Sequence, residues 1–252
     1  MMKKYLTIFL VSMAFAGSAM AQIKDTCINV WQCEINYAYQ FSLTDMKATY
    51  GRNPSTMGVG LSFKTKHNLI FGFEASYLWG GYTDNGVSIL RGIMTSSGNI
   101  INSYGMYGTV LMTQSGFYAG VKTGYVFAFS KPNPNSGIVV NVGAGILEHH
   151  IRIENRSNNT PPVLGEYKKG YDGLRNGIAL RGFVGYQFLS NKKLLNFYGG
   201  VEYTFAWTKS IRNYDFNLRG KDEKQYHDSM IGIRVGWILP IYSRDPEEYY
   251  YY

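Results

Sequence analysis

The alternation of apolar and polar side chains in residues 177–207, GIALRGFVGYQFLSNKKLLNFYGGVEYTFAW, leaves few folds open to this chain. Successive side chains of a strand point to opposite faces, so a period of two marks a strand with two unlike faces. The segment reads as two strands joined by a polar turn at residues 190–193. One face carries Ile178, Leu180, Val184, Tyr186 and Phe188, then Leu195, Phe197, Val201, Tyr203, Phe205 and Trp207. The other carries Ala179, Arg181, Gly185 and Gln187, then Asn196, Tyr198, Gly200, Glu202 and Thr204. A sheet in a soluble protein shows the same contrast. What separates the cases is how often the pattern repeats and which way the polar face points.

The pattern does repeat. Besides the two strands in 177–207, strands are predicted at residues 34–43, 57–64, 69–79, 116–129, 138–153 and 227–242. The connections alternate in length. Short turns fall at 65–68, 130–137 and 190–193, the second of them SKPNPNSG, dense in turn formers. Long connections follow the first, third, fifth and seventh strands. The fold class read from this is all-β: an eight-stranded antiparallel transmembrane β-barrel with short periplasmic turns, long extracellular loops and both termini periplasmic.

The two faces say what surrounds the barrel. One track through all eight strands holds no Asp, Glu, Lys or Arg, in a chain that is 17% charged. The opposite track carries Glu34, Lys64, Glu74, Lys122, Arg181, Glu202 and Arg234 among many glycines. A soluble barrel would have to bring the aromatic track inside, yet eight strands leave a lumen only wide enough for side chains to fill. The aromatic track therefore faces lipid, and the charges face inward. An isolated charge in a narrow lumen is costly, so Glu74, Lys122, Arg181, Glu202 and Arg234 are expected to form a structural ion network that plugs it. Pairing Leu189 with Leu194 across the turn would set Arg181 opposite Glu202.

Residues 1–21 read as a cleaved signal peptide, with Lys3 and Lys4, an apolar run at 5–15 and Ala19-Met20-Ala21 before Gln22. The run is too short to span a bilayer. Residues 22–33 form a periplasmic segment, 34–242 the barrel, and 243–252 a tyrosine-rich periplasmic tail. The formal net charge of +8 falls largely in predicted loops. Such loops suit anionic lipid headgroups or an acidic partner, whereas an exported chain without a binding motif is no candidate for nucleic acid. Cys27 and Cys33 are a candidate disulfide in an oxidising compartment, on condition that residues 28–32 bend. Two cysteines and four scattered histidines define no metal site, and no cofactor is expected.

Chemistry at the loop end rests on His149, His150 and the run His227-Asp228-Ser229. A Ser, a His and an acid make a nucleophilic triad. Side chains alternate along a strand, so Asp228 points away from His227 and Ser229, and the acid would have to come from elsewhere. These residues are read as a rim at the water interface, and the chain as no enzyme.

The eight-strand plan and the final strand IGIRVGWILPIY, residues 231–242, resemble small outer-membrane barrels of Gram-negative bacteria. Within residues 130–242, the segments PNPNSGIVVNVGAGILEHHIRIEN, YKKGYDGLRNGIAL, GYQFLSNKKLLNFYGGVEYT and GIRVGWILP resemble a barrel family of the Bacteroidota. That resemblance implies an association with the outer-membrane barrel components of type IX protein secretion. The His-x-Ser order at 227–229 resembles lipid A deacylase barrels, and the loop histidines palmitoyl-transferase barrels. The expectation is a non-catalytic scaffold or accessory component of an envelope complex in the outer membrane. It would contact lipid, lipopolysaccharide and envelope proteins through its loops or tail. A lipid-modifying enzyme of the deacylase or acyltransferase type and a small pore are the alternatives.

Overall fold

The computed structural model of the chain describes residues 27, 29–83, 89–128, 134–155, 159–190 and 196–242. The expected signal peptide at 1–21 and the tail at 243–252 lie outside them.

Eight long strands ring round into a closed antiparallel barrel. They are β1 (Val30–Leu43), β2 (Pro54–Lys64), β3 (Leu69–Tyr82), β6 (Val110–Ala128), β7 (Gly137–Asn155), β8 (Arg175–Leu189), β9 (Asn196–Ser210) and β10 (Gln225–Tyr242). A two-stranded hairpin of β4 (Ile100–Ile101) and β5 (Tyr107–Gly108) stands in the connection between β3 and β6. β1 closes the ring by pairing with β2 on one side and β10 on the other. Where the chain reverses between β2 and β3, Thr65 N–H donates to Leu69 O at 2.8 Å and Asn68 takes a left-handed φ of 63°. Asn is one of the few non-glycine residues that visit that conformation.

The two faces fall as the alternation predicts. Outward residues are exposed, and their chemistry is banded. A belt of aliphatic side chains, including Val59, Val121, Val142, Val184, Val201 and Ile233, runs round the middle. Rings gather at both ends. Trp31 and Phe63 meet at 5.0 Å and Phe188 and Phe197 at 5.3 Å toward the short turns. Tyr77 and Trp79 meet at 6.1 Å and Phe205 and Trp207 at 4.7 Å toward the long loops.

The lumen is filled in layers. Toward the short turns Ile70, Val126, Val139, Phe183, Leu189, Tyr198 and Ile238 form one apolar cluster. Toward the long loops Leu78, Leu147 and Met230 belong to a second. The charged side chains lie between. Large inward rings sit beside inward glycines. A Cβ on Gly236 would meet the Tyr198 ring at 2.5 Å, and one on Gly120 the Tyr118 hydroxyl at 2.7 Å.

Three boundaries differ from the sequence reading. β1 starts at Val30, so residues 30–33, expected in the periplasmic segment, belong to the barrel. Trp31 outward and Gln32 inward simply continue the alternation. The β8–β9 register pairs Leu189 with Asn196, not Leu194, which sets Arg181 opposite Thr204 and Glu202 opposite Phe183. Asn196 Oδ1 accepts from Ser190 N–H at 2.8 Å and holds this wider connection. A slip of two residues keeps every side chain on its face, so face patterning alone does not detect it.

Third, the connection after β1 is not irregular. It forms a short helix, α1 (Thr44–Tyr50), closed by Gly51 at φ 71°. Met46 and Tyr50, one turn apart, are buried over the long-loop mouth of the lumen. The polar stretch 80–115, read as one long loop, also contributes β4, β5 and the ends of β3 and β6. Leu90 and Ile100 pack with Ile151, Ile153 and Val163 in a core above the barrel. Two neighbouring loops are joined there by the Arg212–Asp172 ion pair, which raises the Arg212 pKa.

Cys27 and Cys33 are both free thiols. Cys33 lies on the outward face of β1, between Gln32 and Glu34, which are buried inward. Cys27 Sγ instead lies at the short-turn end, near Pro134 O at 3.4 Å. The two side chains point to different environments, and the candidate disulfide is not formed.

Candidate functional site

The lumen charges come from six strands whose inward positions meet at mid-height. Glu74 on β3 accepts from Arg181 Nη1 and from Arg234 Nη1, each at 3.1 Å. Glu202 on β9 pairs with Arg234 and lies 3.7 Å from Arg181 Nε. Gln40 Nε2 donates to Glu202 Oε1 at 2.5 Å. Arg181 also donates to Ser76 Oγ at 3.3 Å and to Thr204 Oγ1 at 3.3 Å, and lies 3.6 Å over the Tyr118 ring. Four of the five expected network residues, Glu74, Arg181, Glu202 and Arg234, therefore form one cluster. Arg181 and Glu202 meet diagonally rather than as a directly opposed pair.

Lys122 takes a different partner. Its Nζ donates to both carboxylate oxygens of Glu34 at 2.7 Å, and Ser62 Oγ donates to Glu34 Oε1 at 2.7 Å. Glu34 was legible on the inward track but stood outside the expected network. With it, the layer holds three carboxylates and three cations, all buried, and is formally neutral. A buried charge left without its partner is strongly destabilising, whereas the intact pair adds little net stability. Lys64, nearer the short turns, is buried and donates to Asn135 Oδ1 at 3.0 Å.

The rim residues also part from expectation. His149 and Asp228 are buried, not at a water interface, with Nε2 and Oδ2 at 2.8 Å. Tyr50 of α1 reaches His149 Nδ1 at 2.6 Å, and Thr208 Oγ1 donates to Asp228 Oδ2 at 2.5 Å. Alternation placed Asp228 on the face opposite His227, as observed, but not beside His149. Extending the inward tracks of β7 and β10 to their ends would have brought these two together; Tyr50, in a connection, had no such signal. His227 is exposed and its ring stacks on Phe205 at 6.1 Å. Ser229 Oγ lies 3.0 Å from Thr44 Oγ1. Among the described residues no Ser, His and acid form a triad, and no cluster of metal-ligating residues is present. Two open clefts of about 340 and 430 Å³ lie on the loops, and both are lined by Lys169 and Arg212.

No protein-family model matches the sequence, and no curated protein matches it. Similar solved structures are small outer-membrane proteins. The attachment invasion locus protein Ail of Yersinia pestis, solved in complex with the heparin analogue sucrose octasulfate, is 12% identical with a TM-score of 0.41. That match covers 84% of this chain and 99% of Ail. Neisserial surface protein A is 11% identical with a TM-score of 0.39, over 83% of this chain and 96% of its own. A major outer membrane protein of Thermus thermophilus is 8% identical with a TM-score of 0.44, over 84% and 99%. At these identities the likeness is one of fold.

The geometry limits the chemistry on offer. The only nucleophile found against a histidine among the described residues is the Tyr50 hydroxyl, which is fully buried and whose pKa burial raises further. The lumen charges neutralise one another between two apolar layers.

Proposed function

We propose that this chain is an outer-membrane β-barrel that serves as a non-catalytic scaffold, an accessory component of an envelope protein complex. One observation carries the membrane reading: the outward face is an uncharged, mainly aliphatic belt between two bands of aromatic rings. Outer-membrane barrels present this face to lipid, with rings at both interfaces. The short turns and both termini then lie in the periplasm, and the long loops outside the cell.

The sealed lumen argues against a pore, and the engagement of Ser229 Oγ with Thr44 Oγ1 rather than with a histidine argues against a lipid-modifying enzyme. What remains available to partners is the loop surface, ordered by its own apolar core and by the Arg212–Asp172 pair. The resemblance of residues 130–242 to Bacteroidota barrels supports the narrower assignment to type IX secretion. Affinity purification of the protein from cross-linked native membranes, read by mass spectrometry, tests the scaffold reading. Envelope proteins are expected to co-purify at defined stoichiometry. Recovery of the barrel alone, together with channel conductance in planar bilayers or altered lipid A acylation on deletion, would refute it.

A further inference from the structure

The outward track of β7 changes character along its length. Ile138, Val142, Ala144 and Ile146 are apolar and exposed, and Glu148, His150 and Arg152 continue the same face. Glu148 pairs with Phe117, an exposed outward ring of β6, so the apolar face ends at that level. A strand rises about 3.4 Å per residue and barrel strands tilt by roughly 40°, which places His150 and Arg152 about 5–10 Å beyond that ring. That is the depth of lipid headgroups.

Both residues line the cleft of about 340 Å³. Lys168 and Lys169, from the short turn Tyr167–Gly170, and Arg212, from the β9–β10 connection, complete its cationic wall. Its two carboxylates are already engaged. Asp172 Oδ1 accepts from Arg212 Nε at 2.9 Å, and Glu148 Oε2 from Asn176 Nδ2 at 3.2 Å. Among the described residues no carboxylate pairs with Lys168. The His150 Nδ1 atom is buried without a hydrogen-bond partner, a state that costs stability until something bonds it. The second cleft shares Lys169 and Arg212 and adds Tyr167, Ile211, Tyr214 and Phe216. Tyr167 and Tyr214 are 65% and 48% exposed, each an apolar ring with a polar tip. The walls are fixed in advance, because Ile211 N–H donates to Leu174 O and Phe216 N–H to Gly170 O, each at 3.1 Å. A ligand that enters has little loop ordering to bring about.

We propose that these adjoining clefts seat the phosphorylated sugar headgroup of an outer-leaflet glycolipid. The inference rests on the outer-membrane reading, with the long loops outside the cell. Arg152, Lys168 and Lys169 hold the phosphate through charge-assisted hydrogen bonds. Arg212 bonds Asp172 through Nε and Nη2, which leaves its Nη1 donors for the same anion. Tyr167 and Tyr214 flank the C–H faces of the sugar. Depth selects a lipid over a soluble anion: the cationic cleft opens on the lipid-facing side of β7, directly above the ring of Phe117.

Binding of bisphosphorylated lipid A to the full-length protein in a non-ionic detergent, read by native mass spectrometry, tests this. The same lipid A stripped of its phosphates is expected to bind on the order of tenfold more weakly, the effect of lost charge-assisted hydrogen bonds. The double variant Arg152→Ala, Lys168→Ala should weaken binding of the intact lipid by a similar factor. Both side chains are exposed, so the variant should fold, which the strand signal in circular dichroism checks. Lys47→Ala, exposed on α1 and outside both clefts, should bind as the wild type does. Glucosamine 6-phosphate, which lacks acyl chains, should bind more weakly than lipid A. Equal affinity for it would assign the clefts to a soluble sugar phosphate and overturn the lipid assignment. Equal binding of the stripped lipid, or undiminished binding in the double variant, would overturn the proposal. Since binding is read on the purified barrel, such a failure leaves the scaffold reading to its own co-purification test.

Discussion

Arg234→Ala is expected to lower the unfolding free energy by about 3–5 kcal/mol, the usual cost of removing one partner from a buried ion pair. The guanidinium bonds Glu74 Oε2 and pairs with Glu202. Without it, two buried carboxylates share Arg181 alone, and the layer acquires a net negative charge between two apolar layers. Water reaches such a site poorly, so little of the loss is recovered by hydration. Arg219→Ala, on an exposed loop, should leave stability within about 0.5 kcal/mol. Adding Glu202→Gln to Arg234→Ala restores neutrality and should recover part of the loss. Urea unfolding in lipid vesicles, followed by tryptophan emission, measures all three. Equal midpoints for Arg234→Ala and Arg219→Ala would refute the plug.

Val121→Arg is expected to cost about 2–4 kcal/mol in a bilayer, the depth-dependent penalty for a cation at the midplane of a barrel's lipid face. Val121 is 51% exposed and lies between Phe73 and Ala144 at the centre of the aliphatic belt. On a surface facing water the same change would be nearly neutral. Tyr104→Arg, at a loop position 75% exposed, is the control and should change little. Folding yield and unfolding midpoint in vesicles distinguish the two.

How much of this was legible in the sequence follows from what a period of two encodes. It encodes faces, so the inward places of Glu74, Arg181, Glu202 and Arg234 and the outward place of every belt residue were readable. It fixes register only to within multiples of two residues. Arg181 was therefore set opposite Glu202 when Thr204 is its true neighbour. The pairing of Lys122 with Glu34 across the lumen also depends on the curvature of the closed sheet, which no single hairpin shows. Helix α1 was missed because seven residues give barely two turns of helical pattern, too few to stand out from a loop. With α1 went Tyr50, and with Tyr50 the reason that His149 and Asp228 are buried.

The chain's four tryptophans test the central claim, that the aromatic face meets lipid, most directly. Trp31 and Trp237 stand toward the short turns and Trp79 and Trp207 toward the long loops, all on the outward face. In vesicles of brominated phospholipids their emission should be strongly quenched. Bromines near the headgroup end of the acyl chain should quench more than bromines near its terminal methyl, because both ring bands sit at the interfaces. Emission at a water-exposed wavelength, unquenched by bromines at any depth, would contradict the account.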